Sequence, residues 1–128
     1  MGSGSATLNG GGGKNVFVGS SSKNSSVSMA GGTGSQDTFT GGSGKDTMNV
    51  VGVTSGILQF DKAHQGGLHT VTGFKHGTDH LRLGAGYDTK AILKNAKVVG
   101  GSTILNLGDG TTITLQGFTG LNANDFIK

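Results

Sequence analysis

The chain lacks several residue types that would indicate particular structures. Its 128 residues include no cysteine, proline, tryptophan or glutamate, and only one tyrosine, Tyr87. Without cysteine, neither a disulfide framework nor a thiolate metal site can form. Without glutamate, a glycosidase built on paired carboxylates would depend on scattered aspartates. These absences argue against a disulfide-stapled scaffold and against an enzyme of the paired-carboxylate type.

Long hydrophobic runs are absent too. No stretch approaches the roughly 18–20 apolar residues that span a bilayer, so we expect no membrane span. No N-terminal signal peptide is recognisable. The charge balance is basic, with ten Lys and Arg against seven acidic residues, a net charge of +3 and a pI near 9.4. The chain is short enough for one domain.

Glycine is abundant, and its spacing is regular. Among the 27 glycines, several open two adjacent nonapeptides, GTGSQDTFT (Gly32–Thr40) and GGSGKDTMN (Gly41–Asn49), which place Asp37 and Asp46 nine residues apart. A nine-residue period of one glycine turn and one short strand is typical of a right-handed parallel β-roll. We therefore predict an all-β fold, a β-helix-like parallel β-roll closed by a C-terminal antiparallel hairpin.

The repeat extends in weaker form on both sides. Divergent units precede the two clear ones at Met1–Asn9, Gly10–Val18 and Gly19–Val27, and another follows at Val50–Leu58. The residues 28–31 interrupt the register. The frame predicts that one apolar residue per unit points into the core: Leu8, Phe17, Phe39, Met48 and Ile57. The roll is accordingly predicted over residues 1–58, and residues 59–128 as a cap continuous with it.

The predicted strands are short. They cover Asn15–Val18, Thr38–Thr40, Thr47–Val51, His69–Phe74 and His80–Leu83, with Ile57–Phe60 leaving the roll; Ala91–Val99 fits a strand or one helical turn. The clearest element is a hairpin. Leu105 and Leu107 alternate before a Gly-Asp-Gly turn, and Ile113 and Leu115 alternate after it, which is a good hairpin signal.

These motifs resemble those of the RTX (repeats-in-toxin), or hemolysin-type calcium-binding, family of secreted bacterial proteins. VTGFKHGTDHLRL (Val71–Leu83) is similar to the strand pair that commonly follows RTX repeats, and Gly101–Ile127 is similar to the hairpin and terminus that close such domains. The chain also looks like the R-modules of mannuronan epimerases and the C-terminal domains of serralysin-like proteases. Its departure is the loss of most repeat aspartates to Asn, Ser or Ala.

The resemblance implies Ca²⁺ as the cofactor. The candidate ligands are the repeat aspartates and turn glycines, namely Asp37, Asp46, Gly32, Gly34, Gly41 and Gly44. In the family, an ion lies between turns two repeats apart, so Asp37 and Asp46 would not share one. Asp37 would face the turns at Asn24 and Ser55, and Asp46 the residues near Ser28.

One carboxylate per site predicts weak or partial binding, with a dissociation constant of about 10⁻⁴–10⁻³ M. The alternative is that Asp37 and Asp46 bind no metal and shape their turns by hydrogen-bonding backbone. We expect Asp79 and Asp109 to be turn residues of that kind.

Four histidines lie close together in the sequence: His64, His69, His76 and His80. No predicted helix brings them to one face, and Zn²⁺ needs a defined tetrahedral set. We expect solvated loop histidines.

Three lysines, Lys14, Lys23 and Lys45, occupy the fifth place of their repeats. Equivalent positions stack in a solenoid, so a lysine row would suit an acidic, alginate-like polysaccharide. Nucleic acid is a poorer fit, because aromatic residues for base stacking are few. The alternative is a solvated charged edge that blocks strand pairing.

We expect a non-catalytic module of a secreted, extracellular bacterial protein. No nucleophile elbow or phosphate-binding loop is present. The resemblance implies support of extracellular folding, attachment, and presentation to the type I secretion machinery through the terminus Asp125–Lys128. It also implies an upstream catalytic or adhesive domain as partner. The alternatives are an acidic-polysaccharide-binding module and a self-associating structural adhesin or matrix element.

Overall fold

The fold is a two-sheet coil. The computed structural model describes residues 4–19, 25–34, 36–61, 66–108 and 110–127. The elements are β1 (Gly4–Asn9), β2 (Lys14–Val18), β3 (Ser25–Ala30), β4 (Gln36–Thr40), β5 (Lys45–Asn49), β6 (Ser55–Phe60), β7 (Leu68–Thr72), β8 (Asp79–Leu83), α1 (Thr89–Lys94), β9 (Lys97–Val99), β10 (Ser102–Asn106), β11 (Thr112–Gln116) and β12 (Phe126–Ile127).

Successive strands from β1 to β8 alternate between the two sheets. Sheet A has the order β1-β3-β5-β7-β11-β10-β9, and sheet B has the order β12-β8-β6-β4-β2. All neighbours from β1 to β8 pair in parallel. A chain that adds one strand to each sheet per turn is a parallel β-solenoid, so the predicted β-roll is confirmed.

Glycine permits the tight corners between the sheets. Gly34 and Gly52 follow strands of sheet A and have φ of 76° and 80°, a region that favours glycine. The Gly34 amide donates to the Gly52 carbonyl at 3.0 Å, which stacks one corner on the next. The sequence period therefore translates into a column of corners along each side of the roll.

Each coil buries its alternate side chains between the sheets. The core residues Phe39, Met48, Leu58, Val71 and Leu81 are fully buried. Phe17 stacks on Phe39 with ring centroids 4.9 Å apart.

Two details of the predicted register were wrong. Phe39 pairs with Leu58, so Ile57 points outward and Leu58 fills the core. The interruption predicted at residues 28–31 was misplaced, because residues 28–30 belong to β3, where Val27 and Met29 supply the inward positions. The extra length itself is present, since Asn15 and Asp37 pair 22 residues apart.

The coil also continues beyond the predicted end at residue 58. β6 does not leave the roll but pairs with β4 and β8, and β7 pairs with β5. The physical reason is that residues 71–83 repeat the turn-and-strand pattern, with Gly73 and Gly77 at positive φ in the corner and Leu81 in the core.

The C-terminal segment closes the roll. The predicted hairpin is present as β10 and β11, and β11 joins sheet A beside β7. β12 joins sheet B beside β8. In the ambiguous segment 91–99, α1 forms first because the Asp88 side chain accepts the Ala91 amide as an N-cap, and β9 follows. Among the described residues, no helix is long and apolar enough to cross a membrane.

Candidate metal-binding turns

Equivalent inward positions form a row along sheet B, at the second residue of strands β2, β4 and β6 and the first residue of β8. Its members, in register, are Asn15, Asp37, Gly56 and Asp79. The corresponding row of sheet A contains Val27, Asp46, His69 and Ile113. Asp37 and Asp46 therefore lie in different sheets, as expected from the alternation of repeats.

The immediate neighbours of the two aspartates differ from the expected ones. Asp37 lies beside Asn15 and Gly56, not Asn24 and Ser55, and Asp46 lies beside Val27 instead of Ser28. The reason is coil length. Asn15 and Asp37 are 22 residues apart, whereas two nonapeptides would give about eighteen. Asn24 itself lies outside the described residues.

Asp37 is buried and bridges two coils. Its Oδ1 accepts the backbone amide of Asn15 at 3.0 Å and the Asn15 side-chain amide at 2.9 Å. A side chain at Gly31 would collide with Oδ2 of the same carboxylate. Asp37 thus fastens the coil below it, which is a longer-range role than bonding its own turn.

Asp46 is buried with one oxygen unsatisfied. Its Oδ2 accepts the Gly42 amide at 2.8 Å, so it does hold its own turn. Within the described part of the chain, its Oδ1 has no hydrogen-bond partner. An orphaned carboxylate oxygen in a corner of the roll is a feature that a hard cation such as Ca²⁺ would satisfy.

His69 lies directly above Asp46 and is completely buried. Its Nδ1 is 3.0 Å from Asp46 Oδ2, at ion-pair distance but without the alignment of a hydrogen bond. Its Nε2 is 3.1 Å from the Gly66 carbonyl, which can only accept, so Nε2 carries the hydrogen. The ring of His69 therefore lies directly beside the Asp46 carboxylate, in the space that a bound cation would need.

Asp79 is the site residue that sequence reasoning missed. It was expected as a plain turn residue, yet it occupies the same inward row as Asp37 and is equally buried. Its Oδ1 accepts the Gly56 amide at 3.0 Å and its Oδ2 accepts the Lys75 amide at 3.1 Å. Burial raises the pKa of Asp79 to about 6, although both amide hydrogen bonds and Lys75 oppose the shift. The signal was present, because Gly77-x-Asp79-x-Leu81 has the same spacing as Gly44-x-Asp46-x-Met48 in the second clear nonapeptide.

A cleft of about 340 Å³ opens beside Asp79. It lies between two stacked corners, one formed by residues 50–54 and the other by residues 73–78, and it contains Lys75 as well as Asp79. A cation in this cleft would meet one carboxylate and the Lys75 ammonium. The turns at Asp37 and Asp46 are therefore better placed for Ca²⁺.

The four candidate glycines are packing positions in the corners. Gly32 has no room for a side chain because the Gly11 backbone lies against it, and Gly41 is covered by the Phe60 ring. Gly34 needs its positive φ. The Gly44 carbonyl lies close against Gly67. Each fits the turn role that the repeat predicts.

The lysines do not form one row in the described chain. Lys14 starts β2 in sheet B, and its register neighbour is Gln36. Lys45 starts β5 in sheet A, beside Ser26 and Leu68. Lys23 lies outside the described residues. The structure thus places Lys14 and Lys45 on opposite sides of the roll.

The remaining histidines do not converge on a metal site. His76 Nδ1 lies 2.7 Å from Oδ1 of the buried Asp125, which ties the corner before β8 to the C-terminal turn. His80 belongs to β8. Among the residues that the structure describes, no three His, Cys, Asp or Glu side chains are grouped to hold a metal ion. His64 and Asp109 lie outside those residues.

No family model matches the chain, and no curated protein matches it.

Proposed function

We propose that the chain is a non-catalytic RTX-type β-roll module of a secreted bacterial protein, which binds Ca²⁺ weakly and supports extracellular folding, type I secretion and attachment. One observation supports this most. Buried aspartates occupy equivalent inward positions of β4, β5 and β8, at the corners where turns stack: Asp37, Asp46 and Asp79. Gly56 separates Asp37 from Asp79 in sheet B, so each corner offers one carboxylate as a ligand for an inter-turn cation.

The number of carboxylate ligands determines the Ca²⁺ affinity that we expect. Ca²⁺ takes six to eight oxygen ligands, and affinity rises with the number of carboxylates. Asp37 and Asp46 have no carboxylate at the register positions beside them. Backbone carbonyls and water must supply the other ligands, so the dissociation constant is about 10⁻⁴–10⁻³ M. His69 weakens the Asp46 turn further, because its ring occupies the space beside the carboxylate.

The buried carboxylates also bear on catalysis. Asp37, Asp46 and Asp79 each accept at least one backbone amide. Groups that hold the turns of a roll in this way are structural, and we propose that the module carries no catalytic centre of its own. An upstream domain would supply any activity.

Thermal melting with and without Ca²⁺ tests the proposal. At a Ca²⁺ concentration ten to a hundred times the dissociation constant, linkage adds about 1–3 kcal/mol to the unfolding free energy. We expect that gain in the unmodified chain relative to EDTA, with a much smaller gain in Mg²⁺, which requires a stricter octahedral geometry.

The variant D37N/D46N supplies the comparison, because asparagine keeps an acceptor for the turn amides but removes the charge. The exposed N-cap replacement D88N is the matched control. An equal Ca²⁺ gain in D37N/D46N would show that these two aspartates are not the ligands. No gain in any variant would overturn the calcium assignment.

Exposed apolar side chains on edge strands support self-association as a second candidate function. The side chains of Val16 and Val18 on the edge strand β2 and of Val98 and Val99 on the edge strand β9 are exposed. Exposed apolar side chains on unpaired strand edges favour edge-to-edge contact. The acidic-polysaccharide alternative has no comparable support, since Lys14 and Lys45 are in different sheets.

A further inference from the structure

The outer face of sheet A carries a continuous hydroxyl row. Five strands that are adjacent in the sheet each present a hydroxyl side chain at the same outward register position: Thr7, Ser28, Thr47, Thr70 and Thr114. Two residues further along the same strands runs a second outward row of small or amide-bearing side chains: Asn9, Ala30, Asn49, Thr72 and Gln116. Neither row contains a charged or an aromatic residue.

The central threonines of this row are not buried: Thr47 is exposed, and Thr70 and Thr114 are half-buried. In the part of the chain that the structure describes, the side chains of Thr47, Thr70 and Thr114 make no hydrogen bond to the protein. Thr72, in the second row, donates to Gln116 at 3.3 Å. The first row therefore offers free donors and acceptors on a backbone that the parallel ladder holds in place.

Strand propensity alone does not explain the row. Threonine is favoured on the solvent side of any sheet, so both sheets should show it equally. The equivalent outward row of sheet B is instead mixed, with Val16, Thr38, Ile57 and His80 in register. The regular hydroxyls belong to one face of the roll, which indicates a role for that face.

The two outward rows together form a two-dimensional array. Paired strands lie about 4.7–4.9 Å apart, and outward side chains two residues apart along a strand are about 6.4–6.8 Å apart. Oxygen atoms on the planes of hexagonal ice repeat on this scale. One hydroxyl contributes little, but a rigid array that engages a lattice at many points gains from preorganisation and multivalency.

We propose that the outer face of sheet A, centred on Thr47, Thr70 and Thr114, binds the surface of ice. The chemistry favours ice over the other repeating surface with hydroxyl groups, a crystalline neutral glycan. Sugar rings present C–H faces that pack on aromatic side chains, and the two rows have none. This inference does not rest on the proposed calcium function, because the candidate ion-binding carboxylates point inward while the row points outward.

Ice affinity is measured by the gap between freezing and melting temperatures in a nanolitre osmometer, with inhibition of ice recrystallisation as a second readout. The folded chain should open such a gap and shape the crystals. T70K places a long charged side chain at the centre of the row and should abolish most of the gap, and T47K should act similarly. T38K is the matched control, since Thr38 is a half-buried outward threonine of sheet B, and it should leave the gap unchanged.

Circular dichroism and melting temperature establish that each variant is folded before its ice activity is compared. Folded wild-type chain without any gap overturns the proposal. Equal activity in T70K and T38K, or equal loss in both, overturns the assignment to this face. If the chain binds microcrystalline cellulose and has no effect on ice, the ice proposal is wrong and the face binds a glycan surface instead. The freezing gap should be retained in EDTA, because ice binding by this face does not need Ca²⁺. The ice proposal and the calcium proposal can therefore succeed or fail separately.

Discussion

Replacing Phe39 by alanine should destabilise the roll by about 3–5 kcal/mol, the range for large-to-small aromatic changes in a core. Phe39 is completely buried in β4, an interior strand of sheet B, and its ring stacks on Phe17 at an interplanar angle of 14°. The replacement removes that stacking and leaves a cavity that the neighbouring coils cannot fill. In a solenoid each coil contacts only its neighbours, so the loss weakens both interfaces of the coil.

Urea denaturation followed by circular dichroism measures this effect. V16A is the matched control, because Val16 lies on the adjacent strand with its side chain 74% exposed, and a surface change of this kind stays within about 0.5 kcal/mol. If F39A and V16A unfolded at the same urea concentration, the buried position of Phe39 would be wrong, and with it the register of sheet B.

The second large effect concerns pH and Asp79. Burial raises the pKa of Asp79 from its ordinary value of 3.8 to about 6. The folded protein therefore binds this proton more tightly than the unfolded chain does, and protonation stabilises the fold. That stabilisation is fully present below pH about 4 and is lost as the pH rises through about 6. Two units of pKa correspond to about 2–3 kcal/mol.

The comparison of wild type with D79N isolates this contribution. Asparagine at position 79 still accepts the Gly56 amide but does not titrate. Any stability lost because the hydrogen bond from the Lys75 amide is weakened is therefore the same at every pH. In EDTA, the unfolding free energy of wild type minus that of D79N should rise by about 2–3 kcal/mol between pH 7 and pH 4. D88N controls for the removal of one exposed carboxylate. A difference that stays level or falls on acidification would contradict the burial of an ionisable Asp79.

The architecture could be predicted from the sequence because the nine-residue repeat specifies where the corners and the core residues lie. Glycines mark corners and Phe39 and Met48 mark the core, and these two signals suffice for a parallel roll of two sheets. The hairpin at Leu105–Leu115 was predictable for the same reason, since alternation around a glycine turn is a local property. Local signals of this kind do not depend on distant contacts.

Sequence reasoning failed where coil length mattered. Two nonapeptides give a coil of about eighteen residues, but Phe39 and Leu58 pair 19 residues apart, so the frame put Ile57 in place of Leu58. Other coils are longer still, at 22 and 23 residues, and this moved the neighbours of Asp37. The pairing of Asp46 with His69 and the bridge from Asp37 to Asn15 depend on that longer register. The helix α1 could not be decided from the segment Ala91–Val99, because its cap, Asp88, lies three residues before that segment.

The central claim is that buried aspartates hold the corners of the roll through backbone amides, with Ca²⁺ as a weak addition. Amide hydrogen exchange by NMR in EDTA tests it most directly. The account predicts that the amides of Asn15, Gly42, Gly56 and Lys75, which donate to Asp37, Asp46 and Asp79, exchange as slowly as neighbouring strand amides. Exchange of these four amides at the rate of an unfolded chain, with protection only after Ca²⁺ is added, would contradict it.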